Sequence, residues 1–215
     1  MKKIFLICPV RNASPEITEQ INAYVAARET EGYEVHWPAR DTNQDDKHGW
    51  EICTTNFRAM QAAGDVHVWY DPTSFGSIWD LGMLYALQRI TGFRNVVLAN
   101  LLEPAVLAEF PAVILRQMVW ETSERVLPIP YGKAEKAESL EHLCSATLRL
   151  MRAEDEFWVS YDPIYKISVF TVGMLFALHH LEGQRKITLA HPLEATADKS
   201  FANVILRMVK QTKDL

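Results

Sequence analysis

The chain has 215 residues, of which 48% are hydrophobic and 23% charged, a composition typical of a globular protein with a sizeable core. The net charge is -5 at pH 7 and no run of Lys and Arg exceeds a pair, so a nucleic-acid partner is not favoured. No apolar run approaches the roughly 20 residues needed to span a bilayer, so no membrane association is expected. The three scattered cysteines favour a reducing, cytoplasmic location.

Short apolar runs rich in β-branched residues alternate with longer segments of helical periodicity. Seven strands are predicted, at residues 4–10, 34–38, 66–70, 95–99, 125–129, 157–161 and 186–190. Seven helices are predicted between and after them, at residues 15–31, 48–63, 77–91, 104–122, 134–153, 167–181 and 199–213. The alternation predicts βαβ units and a parallel sheet, in an α/β fold that we expect to be three-layered and Rossmann-like or flavodoxin-like.

Several helix ends carry the residues that commonly start or stop helices. Ser14, Pro15 and Glu16 supply an N-cap, a first-turn proline and an acid near the positive end of the helix dipole. Gly32 and Gly92 lie where C-terminal caps are expected. The loops between the predicted elements are short, so no flexible linker is expected. The polar segment 40–48 is interpreted as a solvated acidic loop rather than a metal site.

A repeat with a spacing of about 91 residues relates residues 70–116 to residues 161–207. Residues 70–87, YDPTSFGSIWDLGMLYAL, align with residues 161–178, YDPIYKISVFTVGMLFAL. The same spacing pairs residues 113–116 with residues 204–207, both of which read VILR. Because the Asp-Pro, Gly and VILR positions stay in one register, we interpret the pattern as a duplicated βαβα unit at the C-terminus.

The two copies differ at one acid, since Asp80 in the first is matched by Thr171 in the second. The second copy keeps the strand-turn-helix pattern without the acid, so the fold does not require it, which favours a ligand-binding role for Asp80. The alternative is an acid near a helix start that accepts hydrogen bonds from backbone N–H groups. We divide the chain into a functional unit at 1–153 and a degenerate repeat at 154–215 that packs on it.

Ligands of open parallel sheets bind beyond the carboxyl ends of the strands. Three segments follow strands there, at residues 8–12, 36–41 and 71–80. They offer groups suited to an anion at a helix start, an aromatic wall, and a small hydroxyl-rich turn that opens the helix of Asp80. The sequence therefore predicts a nucleotide pocket, with the candidate binding residues Cys8, Pro9, Arg11, Asn12, Trp37, Arg40, Asp41, Ser74, Gly76 and Ser77.

These segments resemble the nucleoside 2-deoxyribosyltransferase-like family, which includes the 2'-deoxynucleoside 5'-phosphate N-hydrolases. That family opens with a strand and a GSIRG-type loop, matched here by CPVRN at 8–12, and continues with an AD-V-V strand, matched by AAGDVHVWYD at 62–71. Its PS-x-G-x-x-x-E-x-G-x-A-x-A motif, which carries a catalytic glutamate, is matched by PTSFGSIWDLGMLYAL at 72–87. The resemblance covers about the first 150 residues.

The resemblance implies cleavage or transfer at the N-glycosidic bond of a nucleoside or nucleotide. In that family the glutamate attacks the anomeric carbon, the base leaves, and water or a second base resolves the glycosyl-enzyme. Carried over by position, Asp80 is the nucleophile, although it is one methylene shorter than glutamate, and Arg11, Asn12 and Ser74 hold the 5'-hydroxyl or phosphate.

Further expectations concern the remaining groups and the partners. A second polar group, Asp71 or Tyr70, would assist the leaving base. Neither a metal nor a cofactor is expected, and the expected partner is a small-molecule nucleoside or nucleotide. Because family members often pair two subunits, a homo-oligomer is a further expectation. Two other functions stay open: a catalytically silent nucleotide-binding or sensing module, and a purely structural or partner-binding protein.

Overall fold

The computed structural model describes residues 2–11, 13–92, 94–122, 134–183, 185–195 and 200–212. The candidate binding residue Asn12 and the predicted strand at 125–129 lie outside the described residues.

Strands and helices alternate along the described chain. The first unit contains β1 (Lys3–Ile7), α1 (Pro15–Thr30), β2 (Glu34–His36), α2 (Pro38–Asp41), α3 (Trp50–Ala62), β3 (Asp65–Val68), α4 (Phe75–Thr91), β4 (Asn95–Leu98), α5 (Pro104–Leu107), α6 (Ala112–Thr122) and α7 (Ala134–Ala153). The C-terminal unit contains β5 (Glu156–Val159), α8 (Lys166–Leu181), β6 (Lys186–Leu189) and α9 (Phe201–Gln211). Apart from 34–41 and 104–122, the predicted elements within the described residues overlap the observed ones, although β1 ends at Ile7 rather than at residue 10. The strand predicted at 34–38 ends at His36, and the helix α2, which the sequence analysis does not predict, begins at Pro38, since proline suits the first turn of a helix.

The first unit is built on a four-stranded sheet in the order β2-β1-β3-β4, and every neighbouring pair is parallel. Alternating residues of β1 face different layers: Ile4 and Leu6 pack against α1, whereas Phe5 and Ile7 belong to the larger core that includes α3 and α4. Helices therefore cover both faces of the sheet. The predicted parallel α/β architecture is confirmed, and the strand order is compatible with a Rossmann-like fold.

The cap residues of α1 act as predicted. The Ser14 hydroxyl accepts a hydrogen bond from the backbone N–H of Ile17, Pro15 is the first helical residue, and Glu16 lies in the first turn. Gly32 and Gly92 follow the ends of α1 and α4 with φ angles of 89° and 104°, a region that glycine enters without steric cost.

The single helix predicted at 104–122 is wrong, because two helices, α5 and α6, occupy this stretch. Pro111 lies directly before α6 and has no N–H group to continue the hydrogen-bond ladder of a preceding helix. Its ring also disfavours the helical conformation for Phe110. The chain therefore leaves the helical path after α5 and starts a new helix.

The strands of the C-terminal unit form a separate parallel pair, β5-β6, and do not join the four-stranded sheet. The unit is attached through helices instead: α8 packs along α4, and residues 77–88 of α4 are all buried. One continuous hydrophobic core contains residues of both units. No helix within the described residues is both long and apolar enough to cross a membrane.

Candidate functional site

A cavity of about 410 Å³ opens beyond the carboxyl ends of β1 and β3. This is the end of a parallel sheet at which ligands usually bind, and the volume suits a small molecule. The first unit contributes the loop after β1, part of α3 and the turn that leads into α4. The C-terminal unit contributes a second wall from Tyr161, Pro163, Ser200, Phe201 and Val204.

Several of the predicted site residues meet in this cavity. The lining includes the candidate catalytic acids Asp80 and Asp71, and the candidate binding residues Cys8, Arg11, Ser74 and Gly76. They come from two separate stretches of the sequence, residues 8–11 and 71–80, which the parallel strands β1 and β3 bring to the same edge of the sheet.

Other predicted residues lie close to the cavity but do not line it. Tyr70 is buried, and its backbone N–H donates to Oδ1 of Asn100 at 2.8 Å. Ser77 is also buried, and its hydroxyl donates to the hydroxyl oxygen of Ser74 at 2.9 Å. Pro9 is buried beside the cavity-lining Cys8. These three residues support the lining rather than contact its contents.

The predicted wall after β2 contributes Pro38 to the cavity lining, whereas its candidate binding residues Trp37, Arg40 and Asp41 lie outside the lining. Trp37 is half-buried and packs against the core under α1. Arg40 forms ion pairs with Asp41 and Glu29, each at 2.8 Å, on the outside of the protein. The predicted contacts of Trp37, Arg40 and Asp41 with a ligand therefore stay predictions, since none of the three residues lines the cavity around Asp80.

Asp80 lies in the second turn of α4 and is 8% exposed. Its Oδ2 accepts a long hydrogen bond of 3.4 Å from Nδ2 of Asn56. Burial raises the pKa of Asp80 to about 8, and the hydrogen bond from Asn56 opposes that rise. The carboxyl is therefore mostly protonated at neutral pH. It lies beyond the first turn of α4, so the alternative of an acid held by the helix N-terminus does not describe it.

Two polar residues that the sequence did not single out connect this acid to the interior. The hydroxyl of Thr42 donates to Oδ1 of Asn56 at 2.8 Å, and both residues are buried. Asn56 also lines the cavity. The sequence gives only a weak indication that Asn56 is functional, namely that its amide lies on the apolar side of α3, among Cys53, Phe57 and Met60.

The turn before α4 is arranged for a polar or anionic group. Ser74 caps the helix by accepting from the backbone N–H of Ser77 at 3.3 Å. The N–H groups of Phe75 and Gly76 belong to the first turn, where a helix has no internal acceptors. Arg11 lines the same cavity. Positive helix ends and arginine together favour a phosphate or another oxygen-rich anion.

Asp71 serves both a turn and the cavity. Its Oδ1 accepts from the backbone N–H of Thr73 at 2.8 Å and from the Thr73 hydroxyl at 2.7 Å. Asp162 makes the equivalent backbone contact, since its Oδ1 accepts from the N–H of Ile164 at 2.9 Å. The turn explains why an Asp-Pro pair stands at both positions, and the presence of Asp71 in the lining leaves it available to a ligand.

The wall from the C-terminal unit is aromatic. Phe201 stacks on Trp79, with ring centroids 4.3 Å apart and the rings nearly parallel at 5°. Tyr161 lines the cavity as well, and burial raises its pKa to about 12, so its phenol stays neutral. Burial likewise raises the pKa of Cys8 to about 12, so this thiol is not a thiolate nucleophile near neutral pH.

The described residues contain no cluster of three His, Cys, Asp or Glu side chains that could hold a metal ion. Comparisons of the chain with protein-family models, with curated proteins and with solved structures find no match. Fold and cavity together define a parallel α/β protein with a cavity of about 410 Å³ whose lining includes the buried acid Asp80. Its function has to be inferred from the chemistry of that pocket.

Proposed function

We propose that the protein cleaves or transfers the N-glycosidic bond of a nucleoside or nucleotide, with Asp80 as the nucleophile. The observation that carries this proposal is the position of Asp80: a buried acid in the lining of a ligand-sized cavity, beside a turn suited to an anion. The order of the loop after β1, the turn after β3 and the acid of α4 is also that of the family the sequence resembles.

The reaction follows from the groups in the cavity. The Asp80 carboxylate attacks the anomeric carbon of the sugar, the glycosidic bond breaks, and its electron pair leaves with the base. Water then attacks the same carbon, its proton passes to the base that left with the electron pair, and the bond to Asp80 breaks to release the carboxylate. In the transfer reaction a second base attacks instead, and its N–H proton passes to the first base. On this proposal Asp71 assists the leaving base, and its position in the cavity lining supports it over Tyr70, which lies outside the lining. Arg11, Ser74 and the first turn of α4 hold the 5'-hydroxyl or 5'-phosphate.

The raised pKa of Asp80 shapes the pH dependence of this step. Only the ionised carboxyl is a nucleophile, and with a pKa of about 8 its ionised fraction increases tenfold per pH unit below that value. A carboxylate of higher pKa is also a stronger base and nucleophile once it is ionised. We therefore expect the rate of the proposed reaction to be highest in neutral and mildly alkaline solution.

The test incubates the protein with a panel of ribonucleosides, 2'-deoxynucleosides and their 5'-phosphates. Chromatography measures the release of free base. The expected result is release from at least one member by the full chain and none by Asp80→Asn. If no member of the panel loses its base at any pH between 6 and 9, the proposed activity is wrong.

A second function is favoured by one specific observation, the protonated state of Asp80 at neutral pH. A neutral carboxyl donates a hydrogen bond, so the pocket is also suited to holding a nucleotide without cleaving it. In that case a nucleotide at about 100 times its dissociation constant stabilises the fold by about 2.7 kcal/mol with no base released. Thermal unfolding with the same panel distinguishes binding from catalysis.

We also propose that residues 154–215 are a degenerate copy of the β3-to-α6 region. The strand pairing supports this, because Asp65 pairs with Asn95 and Glu156 pairs with Lys186, a displacement of 91 residues at both strands. On this proposal the copy was retained because it covers α4 and supplies the aromatic wall of the cavity.

Three free, buried cysteines fit the expected reducing, cytoplasmic location.

A further inference from the structure

We propose that Thr42, acting through Asn56, is a positioning residue that controls the ionisation and orientation of Asp80. The inference rests on the proposed function in one respect, that Asp80 is the group that meets the substrate. Thr42 does not line the cavity itself, so its effect has to pass through Asn56.

Three hydrogen bonds in sequence connect β2 to the cavity. Nε2 of His36 lies 3.0 Å from the hydroxyl of Thr42, and that hydroxyl donates to Oδ1 of Asn56 at 2.8 Å. Nδ2 of Asn56 then donates to Oδ2 of Asp80 at 3.4 Å. Thr42 is 4% and Asn56 6% exposed, so water does not readily replace any partner in this series.

The direction of the series follows from the number of protons on each group. A hydroxyl has one proton, and Thr42 gives it to the carbonyl oxygen of Asn56, so His36 has to donate to Thr42 through an Nε2–H. Burial lowers the pKa of His36, which is consistent with a neutral ring carrying one N–H. The carbonyl end of the Asn56 amide is thereby fixed toward Thr42, and its NH₂ end faces Asp80.

The orientation of this amide decides its effect on the acid. An NH₂ group only donates, so it stabilises the ionised carboxylate and occupies Oδ2, which leaves Oδ1 of Asp80 for the substrate. Without the hydroxyl of Thr42, the amide can turn over and present its carbonyl oxygen to Asp80. A carbonyl oxygen accepts from the protonated acid and would stabilise the neutral form instead.

Other titratable and charged groups face this region and stay the same when Thr42 is changed. Around the cavity they are Cys8, Arg11, Cys53, Asp71 and Tyr161, with Asp46 near Cys53 and with Arg40 and Asp41 beside His36. A change in the ionisation of Asp80 that appears only on loss of the Thr42 hydroxyl is therefore assigned to the amide of Asn56.

The experiment measures the free energy of unfolding of the full chain between pH 5 and pH 10, both with Asp80 and with the Asp80→Asn substitution. For each protein we take the difference in free energy of unfolding between the chain with Asp80 and the same chain with Asn at this position. This difference changes with pH only while Asp80 titrates, so it becomes constant above the pKa of Asp80 in the folded protein. The Thr42→Val variant removes the hydroxyl at nearly constant shape. The Thr42→Ser variant keeps the hydroxyl and is the matched control.

We expect the levelling-off point to lie near pH 8 in the unmodified protein and in Thr42→Ser, and about one pH unit or more higher in Thr42→Val. An unchanged point in Thr42→Val would overturn the inference, as would an equal shift in Thr42→Ser. Should Thr42→Val not fold, Thr42→Ala is measured in the same way, since it also lacks the hydroxyl and occupies less space.

No substrate is needed for this measurement, so it is independent of the proposed activity. A protein that releases no base but shows the shift in Thr42→Val would refute the proposed activity and retain the role of Thr42. A protein that releases base but shows no shift would do the opposite.

Discussion

Gly82 and Gly173 lie at the crossing of α4 and α8, and each contacts the backbone of the opposite helix. A Cβ atom on Gly82 would lie 2.1 Å from the carbonyl oxygen of Phe170, and one on Gly173 would lie 2.3 Å from that of Trp79. Trp79 and Phe170 are separated by 91 residues, as are the two glycines, so the contact is reciprocal. The close approach of these helices places α9 and its Phe201 against the cavity-lining Trp79.

Substituting either glycine by alanine is expected to be severely destabilising. The obstructing atoms are backbone carbonyls that cannot rotate away, so the two helices have to separate and lose packing along their length. We expect Gly82→Ala and Gly173→Ala each to lower the free energy of unfolding by about 3 kcal/mol or more. Chemical denaturation of the purified variants measures this.

Gly76→Ala is the matched control in the same helix. A Cβ at this position meets no atom within 4 Å, and alanine has the higher helix propensity. The expected change is therefore neutral or slightly stabilising. Equal stability of Gly82→Ala and Gly76→Ala would show that α4 and α8 are not in backbone contact.

The alternation of short strands and longer helices was enough to predict the parallel sheet, since both periodicities are explicit in the sequence. The separate β5-β6 pair could not be anticipated, because an apolar strand is equally suited to joining a sheet or starting another. The break between α5 and α6 was signalled by Pro111 and was missed because the apolar periodicity continues on both sides.

Part of the candidate site could also be predicted from the sequence. Asp80 and Ser74 could be found because the aligned residues 91 positions later, Thr171 and Tyr165, differ from them within an otherwise similar segment. Asn56 and Thr42 could not, since a single polar residue in a helix or loop becomes part of a site only through tertiary contacts. The orientation of Trp37 depends on the one-turn helix α2, which local pattern did not reveal.

Asp80→Asn should stabilise the protein, and more so at alkaline pH. In the unfolded chain the pKa of Asp80 is near 3.8, the ordinary value for aspartate, and burial in the folded protein raises it to about 8. Between these values the folded state holds a proton that the unfolded state has lost, so stability falls as pH rises through this window. The full effect is of the order of 5 kcal/mol.

Melting temperatures of the wild type and Asp80→Asn between pH 5 and pH 9 test this prediction. We expect the two curves to diverge as pH rises and to become parallel above about pH 8. A constant difference over the whole range would mean that the pKa of Asp80 is not raised.

Phe201→Ala should weaken ligand binding beyond its effect on stability. The side chain lines the cavity and stacks on Trp79, so its removal opens the wall from the C-terminal unit. Phe110→Ala is the matched control, because Phe110 occupies the position 91 residues earlier and packs against Phe170 at 5.2 Å, outside the cavity lining. Both variants should lose about 2–4 kcal/mol of stability.

Ligand-induced shifts in melting temperature separate the two variants. A nucleotide that stabilises the wild type should stabilise Phe110→Ala by a similar amount and Phe201→Ala by much less. Equal shifts in both variants would show that the wall formed by the C-terminal unit does not contact the ligand.

The rate of base release as a function of pH, measured side by side for the wild type and Asp80→Asn, tests the central claim most directly. A nucleophilic Asp80 predicts that the wild-type rate rises about tenfold per pH unit and levels off near pH 8, and that Asp80→Asn releases no base at any pH. A rate that falls as pH rises through 8 would identify the protonated acid as the active form. Full turnover by Asp80→Asn would contradict the account outright.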